Sequence, residues 1–322
     1  MDAVVKLNRY GWRVWILLMF CIFTPASAAS ETDRDFLRFV KEGDLRKVEA
    51  LLAQGATVDA KDEEGRTALM LADGEDVVEF LIKHGANLNA QDADGNSVLF
   101  YRLLPILKVK VPDMDDLAEA KRLIESGALV EYMARKGEEQ HPVSLLNMAI
   151  RNQSLVLVKF LVENGANPNH DPGGVEEYPL FLAVGGSSSP PTLAIAEYLL
   201  ANGSKAVFTS RLKEISGPNG SKQIGARNAL HFVTESSNAD PKIYDVLVKA
   251  GTNINHRDAE GRSPLIEAVL RKNVQGALKL IQLGADISLT DNQGKTALDL
   301  AKEGQLPEIE KVLTEKNSAK AQ

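Results

Sequence analysis

Along most of this chain apolar residues stand three, four and seven positions upstream of a recurring glycine. Before Gly55 they are Leu52, Leu51 and Val48; before Gly85, Ile82, Leu81 and Val78; before Gly165, Val162, Leu161 and Val158. The same places hold Val248, Leu247 and Tyr244 before Gly251, and Ile281, Leu280 and Ala277 before Gly284. Gly127 (Ile124, Leu123, Ala120) and Gly203 (Leu200, Leu199, Ala196) follow the same rule. Residues three and four apart lie on one face of an α-helix, so each glycine is predicted to end an amphipathic helix. Glycine suits the left-handed residue that closes such a helix.

A polar phrase follows each of these glycines. It reads GATVDAKDEEG from Gly55, GANLNAQDADG from Gly85, GTNINHRDAEG from Gly251 and GADISLTDNQG from Gly284, with a variant, GANPNHDPGG, from Gly165. These residues supply turn chemistry. A second, shorter apolar stretch then opens with a hydroxyl or Asn, then Pro or Ala, then Leu. Examples are Thr67-Ala68-Leu69, Ser263-Pro264-Leu265, Thr296-Ala297-Leu298 and, more loosely, Asn228-Ala229-Leu230 and Tyr178-Pro179-Leu180. A capping side chain followed by a residue tolerated in the first turn predicts a helix start. Small residues at Ala72, Ala183, Ala268 and Ala301 allow neighbouring helices to approach closely. Each unit is therefore predicted as turn, helix, helix. The spacing is 30 residues from Gly55 to Gly85 and 33 from Gly251 to Gly284, which marks a repeat array.

These residues resemble the ankyrin repeat, whose pattern is roughly TPLHxAA, a second helix ending LLxxGA, then DxNAxDxxG. The resemblance covers about residues 33–316. It implies an all-α fold, an α-solenoid of about eight ankyrin repeats built from helix–turn–helix units joined by β-hairpins or loops. The expected units are 33–65, 66–95, 96–137, 138–174, 175–225, 226–261, 262–294 and 295–316, the first and last serving as polar caps. Glycine-to-glycine steps of 42, 38, 38 and 48 place insertions in the central repeats. Residues 317–322 are expected to form a polar, frayed tail.

The first 28 residues follow a different plan. Lys6, Arg9 and Arg13 precede a ten-residue apolar run, Val14 to Phe23, and Ala26-Ser27-Ala28 supplies a small-x-small cleavage site. This is the layout of a secretory signal peptide cut between Ala28 and Ala29. The run is too short to cross a membrane as a helix and is stopped by Pro25. Cys21, the only cysteine, departs with that segment, so the remaining chain has no thiol chemistry. The combination resembles a Gram-negative periplasmic protein more than a disulfide-stapled secreted one. A periplasmic or secreted location is expected.

Net charge narrows the partner class. The full chain carries −7, and the first 28 residues hold three basic residues and one acid, leaving −9 beyond them. That opposes tight binding to nucleic acid or to an anionic membrane surface.

Catalytic and metal motifs are missing from the sequence. His84, His141, His170, His231 and His256 share no HExxH or HxH spacing. His84 precedes a helix-ending glycine, His231 occupies the histidine place of the ankyrin pattern, and His170 and His256 are equivalent turn residues. Glu63, Glu64, Asp92, Asp94, Asp258, Glu260 and Asp291 recur at turns, where local capping is the usual role. Neither Gly217-Pro218-Asn219-Gly220 nor the stretch 185–191 matches a phosphate loop, and no GxSxG is present. No catalytic residue, cofactor or metal is expected.

Individuality lies in three insertions: about Arg102 to Asp116, 185–191, and Ser204 to Arg227. The last flanks SGPNGS with two extended stretches and is predicted as a lengthened β-hairpin finger. It holds Lys205, Arg211, Lys213, Lys222 and Arg227 against one acid, Glu214, while the first insertion adds Arg102, Lys108 and Lys110. Those eight basic residues are the candidate partner-binding set, suited to a protein with an acidic patch. The resemblance implies a non-enzymatic scaffold, monomeric, that binds a protein through its concave groove and inserted loops. An immunity-type inhibitor of a periplasmic toxin or enzyme, or a chaperone-like partner of an exported enzyme, fits the same sequence. A hydrolase hidden in the divergent central repeats is the remaining alternative.

Overall fold

The computed structural model describes residues 30–108, 117–131, 133–136, 141–170, 178–185, 190–217 and 220–320. The proposed signal segment, Lys110 and most of the first insertion therefore lie outside the described residues. Chain contacts divide the molecule into two compact units, 30–87 and 88–320.

Helices account for nearly all of the regular structure, and they come in antiparallel pairs as the paired apolar stretches predict. The first unit holds α1 (Glu31–Lys41) with α2 (Leu45–Ala53), and α3 (Ala68–Leu71) with α4 (Glu75–Lys83). The second holds α5 (Val98–Leu103) with α6 (Ala118–Glu125), α7 (Leu145–Arg151) with α8 (Leu155–Glu163), and α9 (Pro179–Ala183) with α10 (Leu193–Ala201). It continues with α11 (Ala229–Val233) and α12 (Lys242–Lys249), α13 (Pro264–Leu270) and α14 (Val274–Gln282), and α15 (Ala297–Glu303) and α16 (Pro307–Lys320). The first helices α7, α9, α11, α13 and α15 pack in sequence as one row, and α8, α10, α12, α14 and α16 as a second. This is the all-α solenoid arrangement of a repeat array.

Burial refines the helix face read from the sequence. The residues seven and four before the glycine are the buried ones in most repeats: Val78 and Leu81, Val158 and Leu161, Tyr244 and Leu247, Ala277 and Leu280; before Gly55, Val48 is buried and Leu51 half-buried. The residue three before is half-buried in most repeats, as at Ile82, Val162 and Val248. Ala183, Ala268 and Ala301 are wholly enclosed, which lets the rows close up. Two helix starts are capped by a hydroxyl as predicted, Ser263 Oγ accepting from the Ile266 N–H and Thr296 Oγ1 from the Asp299 N–H, whereas Thr67 and Tyr178 make no side-chain cap bond.

Two side-chain devices shape the turns. In the first, an aspartate closes a tight loop. Asp62, Asp92, Asp258 and Asp291 each accept the N–H of the residue four ahead at 2.7–3.0 Å, and their own N–H donates back to that residue's carbonyl. Gly65, Gly95, Gly261 and Gly294 sit at positive φ inside these loops. In the second device, an oxygen four residues past the helix-ending glycine accepts an N–H two residues past the next such glycine. Asp59 takes the Asn87 N–H, Asn89 that of Leu129, Asn169 that of Lys205 and Asn255 that of Asp286, at 2.7–2.8 Å. Glu131 does the same for Asn167.

Two antiparallel hairpins complete the second unit. One is the finger predicted within 204–227: β3 (Lys213–Gly217) pairs with β4 (Gly220–Ile224), Gly217 opposite Gly220. The other, β1 (Met133–Lys136) with β2 (His141–Ser144), was not anticipated, and the boundary expected at 137/138 falls between its strands. The sequence there lacks the β-branched alternation that signals a strand. The C-terminal end also departs from expectation. Residues 317–320, read as frayed tail, continue α16, which is anchored by buried Ile309 and Leu313.

Leu247→Ala and Leu81→Ala each remove a fully buried side chain from a face shared with neighbouring helices. Each is expected to lower unfolding free energy by about 2–5 kcal/mol, measured as a shifted urea midpoint; an unchanged midpoint would contradict this packing.

Candidate functional site

The finger leaves the repeat stack after α10 and returns at α11, and its root is held at several points. The Ser210 N–H donates to the Arg227 carbonyl at 2.7 Å, and the Ala226 N–H donates to the Ser210 carbonyl at 3.1 Å. Ser210 Oγ accepts from the Arg227 N–H at 3.0 Å. The next repeat turn holds the other side: the Ala259 N–H reaches the Gly225 carbonyl at 3.0 Å, and His256 Nε2 lies 2.7 Å from the Ala226 carbonyl. Gly225 has φ +109°, and a Cβ there would run into the Arg211 carbonyl. Only glycine satisfies both constraints.

Aromatic rings fill the space beneath this root. Tyr178 packs on Phe181 and Phe208, with ring centres 5.4 and 5.0 Å apart, and Phe181 packs on Phe232 at 4.7 Å. Such contacts add about 0.5–1.5 kcal/mol each beyond area burial.

The eight candidate basic residues do not share one role. Arg227 is 13% exposed, pairs with Glu235 at 2.9 Å and lies over the Phe232 ring at 4.5 Å. It belongs to an internal chain of ions in which Glu235 meets Arg271 at 3.1 Å and Arg271 meets the buried Glu267 at 2.8 Å. Arg262 closes the chain on Glu267 and Glu260 at 3.3 and 2.7 Å. Arg102 is likewise spent internally, 17% exposed and 3.0 Å from Glu119. Lys205, Arg211 and Lys213 are exposed, and Lys205 Nζ hovers 5.7 Å from the Phe208 ring. The backbone of Lys222 stands opposite Ile215, and Lys108 ends a short 3₁₀ turn (Ile106–Lys108).

A count of charges missed the apolar component of the finger. Val207 is 66%, Leu212 58% and Ile215 46% exposed. Val207 is the more telling case, because it occupies the place four residues past Gly203. There, Asp59, Asn89, Glu131, Asn169 and Asn255 accept the N–H of the following repeat. At this junction other bonds serve instead: Thr252 Oγ1 donates to the Ala206 carbonyl at 3.1 Å and Asn228 Nδ2 to the Asn253 carbonyl at 2.8 Å. A polar residue stands four past the glycine in every other repeat phrase, and its replacement by Val207 was the signal available in the sequence.

Beside the finger lies a recess of about 310 Å³, lined by Gln223 and by residues of the turns at 259–262 and 291–293. Its carboxylates are engaged: Glu260 with Arg262, and Asp291 in its own loop. Among the described residues no group of three or more His, Cys, Asp or Glu is placed to hold a metal ion.

The histidines whose side chains are described, His84, His170, His231 and His256, occupy structural places. His84 Nδ1 meets the Phe80 carbonyl at the helix end, at 2.8 Å, and His170 meets Glu131 at 3.1 Å. His231 is fully enclosed, with Nδ1 2.8 Å from Asn228 Oδ1 and Nε2 3.0 Å from the Arg262 carbonyl, so it joins two repeats. Burial pushes its pKa down to about 4. The turn carboxylates follow their surroundings. Partial burial opposes ionisation of Asp62 and Asp92, yet hydrogen bonds from Arg66, and from Tyr101 and Asn96, hold them below the usual range. Deeper burial raises Asp258.

Known sequence families match three stretches of this architecture. The description "Ankyrin repeats (3 copies)" fits residues 36–102, "Ankyrin repeat" fits 141–170, and "Ankyrin repeats (many copies)" fits 247–301. The chain carries ankyrin repeats. Among its relatives is ZDHHC13 of Danio rerio, named as a palmitoyltransferase, 25% identical over 62% of this chain and 33% of that protein. The ankyrin repeat protein L86 of Acanthamoeba polyphaga mimivirus is 40% identical over 23% of the chain and 14% of its own length. Human Rabankyrin-5 is 28% identical over 49% and 10%. The chain spans a third or less of the length of these relatives. Ankyrin repeats are interaction scaffolds and imply a protein partner. No described helix is long and apolar enough to cross a membrane.

His231 generates a pH prediction. Its folded pKa lies below the unfolded value of about 6.5, so the unfolded chain takes up the proton first. Its stabilising contribution is full above about pH 6.5 and is lost as pH falls toward about 4, by up to about 3 kcal/mol. Urea unfolding across that range should show the loss in the native chain and not in His231→Gln; equal slopes would contradict the assignment.

Proposed function

We propose that this ankyrin-repeat chain is a non-enzymatic scaffold that captures a protein bearing an acidic patch, using the finger at 204–227 as its main contact. The observation that carries this reading is the finger's composition and stance. Lys205, Arg211 and Lys213 stand exposed beside Val207, Leu212 and Ile215, on a hairpin fixed at its root by five hydrogen bonds. A long insertion anchored so firmly, with apolar side chains turned to water, suits a contact surface better than a tolerated loop. Against a chain of net charge −7, basic projections steer acidic surfaces toward themselves. In sequence, Lys222 belongs to the same finger and Lys108 and Lys110 to the first insertion, whereas Arg227 and Arg102 serve the fold.

The site of action follows from residues 1–28. We place the protein in the periplasm or outside the cell, with Ala29 as the mature N-terminus and a monomeric product. That setting is compatible with inhibition of an exported toxin or enzyme, and with assistance to an exported enzyme.

Two measurements test this reading. In affinity capture from an extract of the source cells, Arg211→Glu with Lys213→Glu is expected to weaken partner retention. Helical signal and melting temperature should stay unchanged. Hot-spot losses reach about 2 kcal/mol, with less for rim charges. Undiminished retention would move the site to the groove and the ordinary turn tips. N-terminal sequencing of the extracted protein should begin at Ala29, and an uncleaved chain would contradict export.

A further inference from the structure

We propose that the finger binds by strand addition: an extended partner segment, acidic on one face and apolar on the other, pairs with the open edge of β3. This rests on the reading of the finger as the partner site and specifies how it works.

Three observations converge on it. First, β3 pairs with β4 on one side, and no third strand pairs with it among the described residues. In an antiparallel ladder every second residue turns its N–H and C=O away from the partner strand, so an edge strand offers a row of backbone groups to a new chain. Main-chain bonds then give affinity, and alternate side chains give selectivity.

Second, the two faces of the hairpin differ in charge. Successive side chains of a strand point to opposite faces. Lys213 and Ile215 therefore share one face, with Arg211 and Leu212 exposed just before the strand. Glu214 and its cross-strand neighbour Gln223 share the other. Gln223 also lines the recess, whose further walls include Glu260 and Asp291. The Glu214 face thus carries an acid beside a recess whose own carboxylates are engaged, Glu260 by Arg262 and Asp291 by its loop, and the Lys213 face carries the cation. A segment laid along β3 meets cations on one face and acids on the other. Its acids belong on the Lys213 side, and neutral or apolar residues belong on the Glu214 side. That requirement is an alternating pattern, the one a strand displays.

Third, the edge is held in position and kept from closing on the stack. Gly225, with its positive φ and no room for a Cβ, stands where β4 joins the root, close against the Arg211 carbonyl. Val207 replaces the polar side chain that ties other repeats to their successors and stays 66% exposed. Natural edge strands are commonly protected by charge, and lysines beside β3 do protect it against self-pairing. The same lysines admit an acidic strand.

The test uses the full chain without residues 1–28 and a short peptide alternating glutamate and valine. Two companion peptides are required: one with the same residues but the glutamates grouped together, and one alternating but N-methylated at every second backbone nitrogen. Amide NMR titration is expected to show saturable binding of the alternating peptide, with shifts confined to residues around 211–216. Grouped and N-methylated peptides should bind at least about tenfold more weakly, since each loses one half of the recognition. Equal affinity for the N-methylated or the grouped peptide overturns strand addition. So does a lack of saturable binding by the alternating peptide. Neither result touches the broader reading of the finger, which stands or falls on whether Arg211→Glu with Lys213→Glu loses its captured partner.

Discussion

The bond that passes from one repeat turn to the next sets the terms for this structure. An oxygen four residues beyond each helix-ending glycine accepts an N–H of the following turn, at Asp59, Asn89, Asn169 and Asn255 and through the longer Glu131. Each such bond is exposed to water and contributes only about 0.5–1.5 kcal/mol net, so it is their repetition along the turns that matters. Because each repeat contacts only its neighbours, register along the stack is the sum of these local agreements. The aspartate loops at Asp62, Asp92 and Asp258 tie down the turns that also hold the acceptors Asp59, Asn89 and Asn255, and a fourth such loop closes at Asp291.

One junction breaks that rule, and it is the one that carries the finger. Val207 cannot accept a hydrogen bond. The connection there passes to Thr252, Asn228, His256 and the ions around Glu267. The result is heavier and more buried than the bond it replaces: a neutral histidine bridging two repeats, an enclosed carboxylate satisfied by arginines, and a tyrosine–phenylalanine cluster under the root. Burying charge and imidazole in this way is costly unless every group is paired. The pairing is what fixes Arg227 within the fold and removes it from the surface that Arg211 and Lys213 occupy.

Much of this was legible in the sequence, because repetition turns weak signals into strong ones. The apolar places before Gly85 or Gly251, the capping residues Ser263 and Thr296, and the presence of a hairpin between Ser204 and Arg227 all follow from local chemistry, although its strands, Lys213–Gly217 and Gly220–Ile224, run closer to the tip than the turn signal SGPNGS implied. What escaped was non-local or side-chain specific. The strands Met133–Lys136 and His141–Ser144 pair without a strand-like composition. Arg227 and Arg102 read as surface charges until Glu235 and Glu119 are seen beside them. The last residues of α16 look polar throughout, and are ordered because Ile309 and Leu313 fasten the helix earlier. Val207 was visible as a mismatch within the repeat phrase, but its meaning depends on knowing what the polar residue does elsewhere.

The finger is a fixed extension of its repeats and no loose loop. Native-state amide exchange measures this directly at Ser210, Ala226, Arg227 and Ala259, whose N–H groups make the root. Protection at these four amides comparable to that of α13 in the adjoining repeat is the predicted result. Exchange at the rate of an unstructured loop, with α13 still protected, would contradict it.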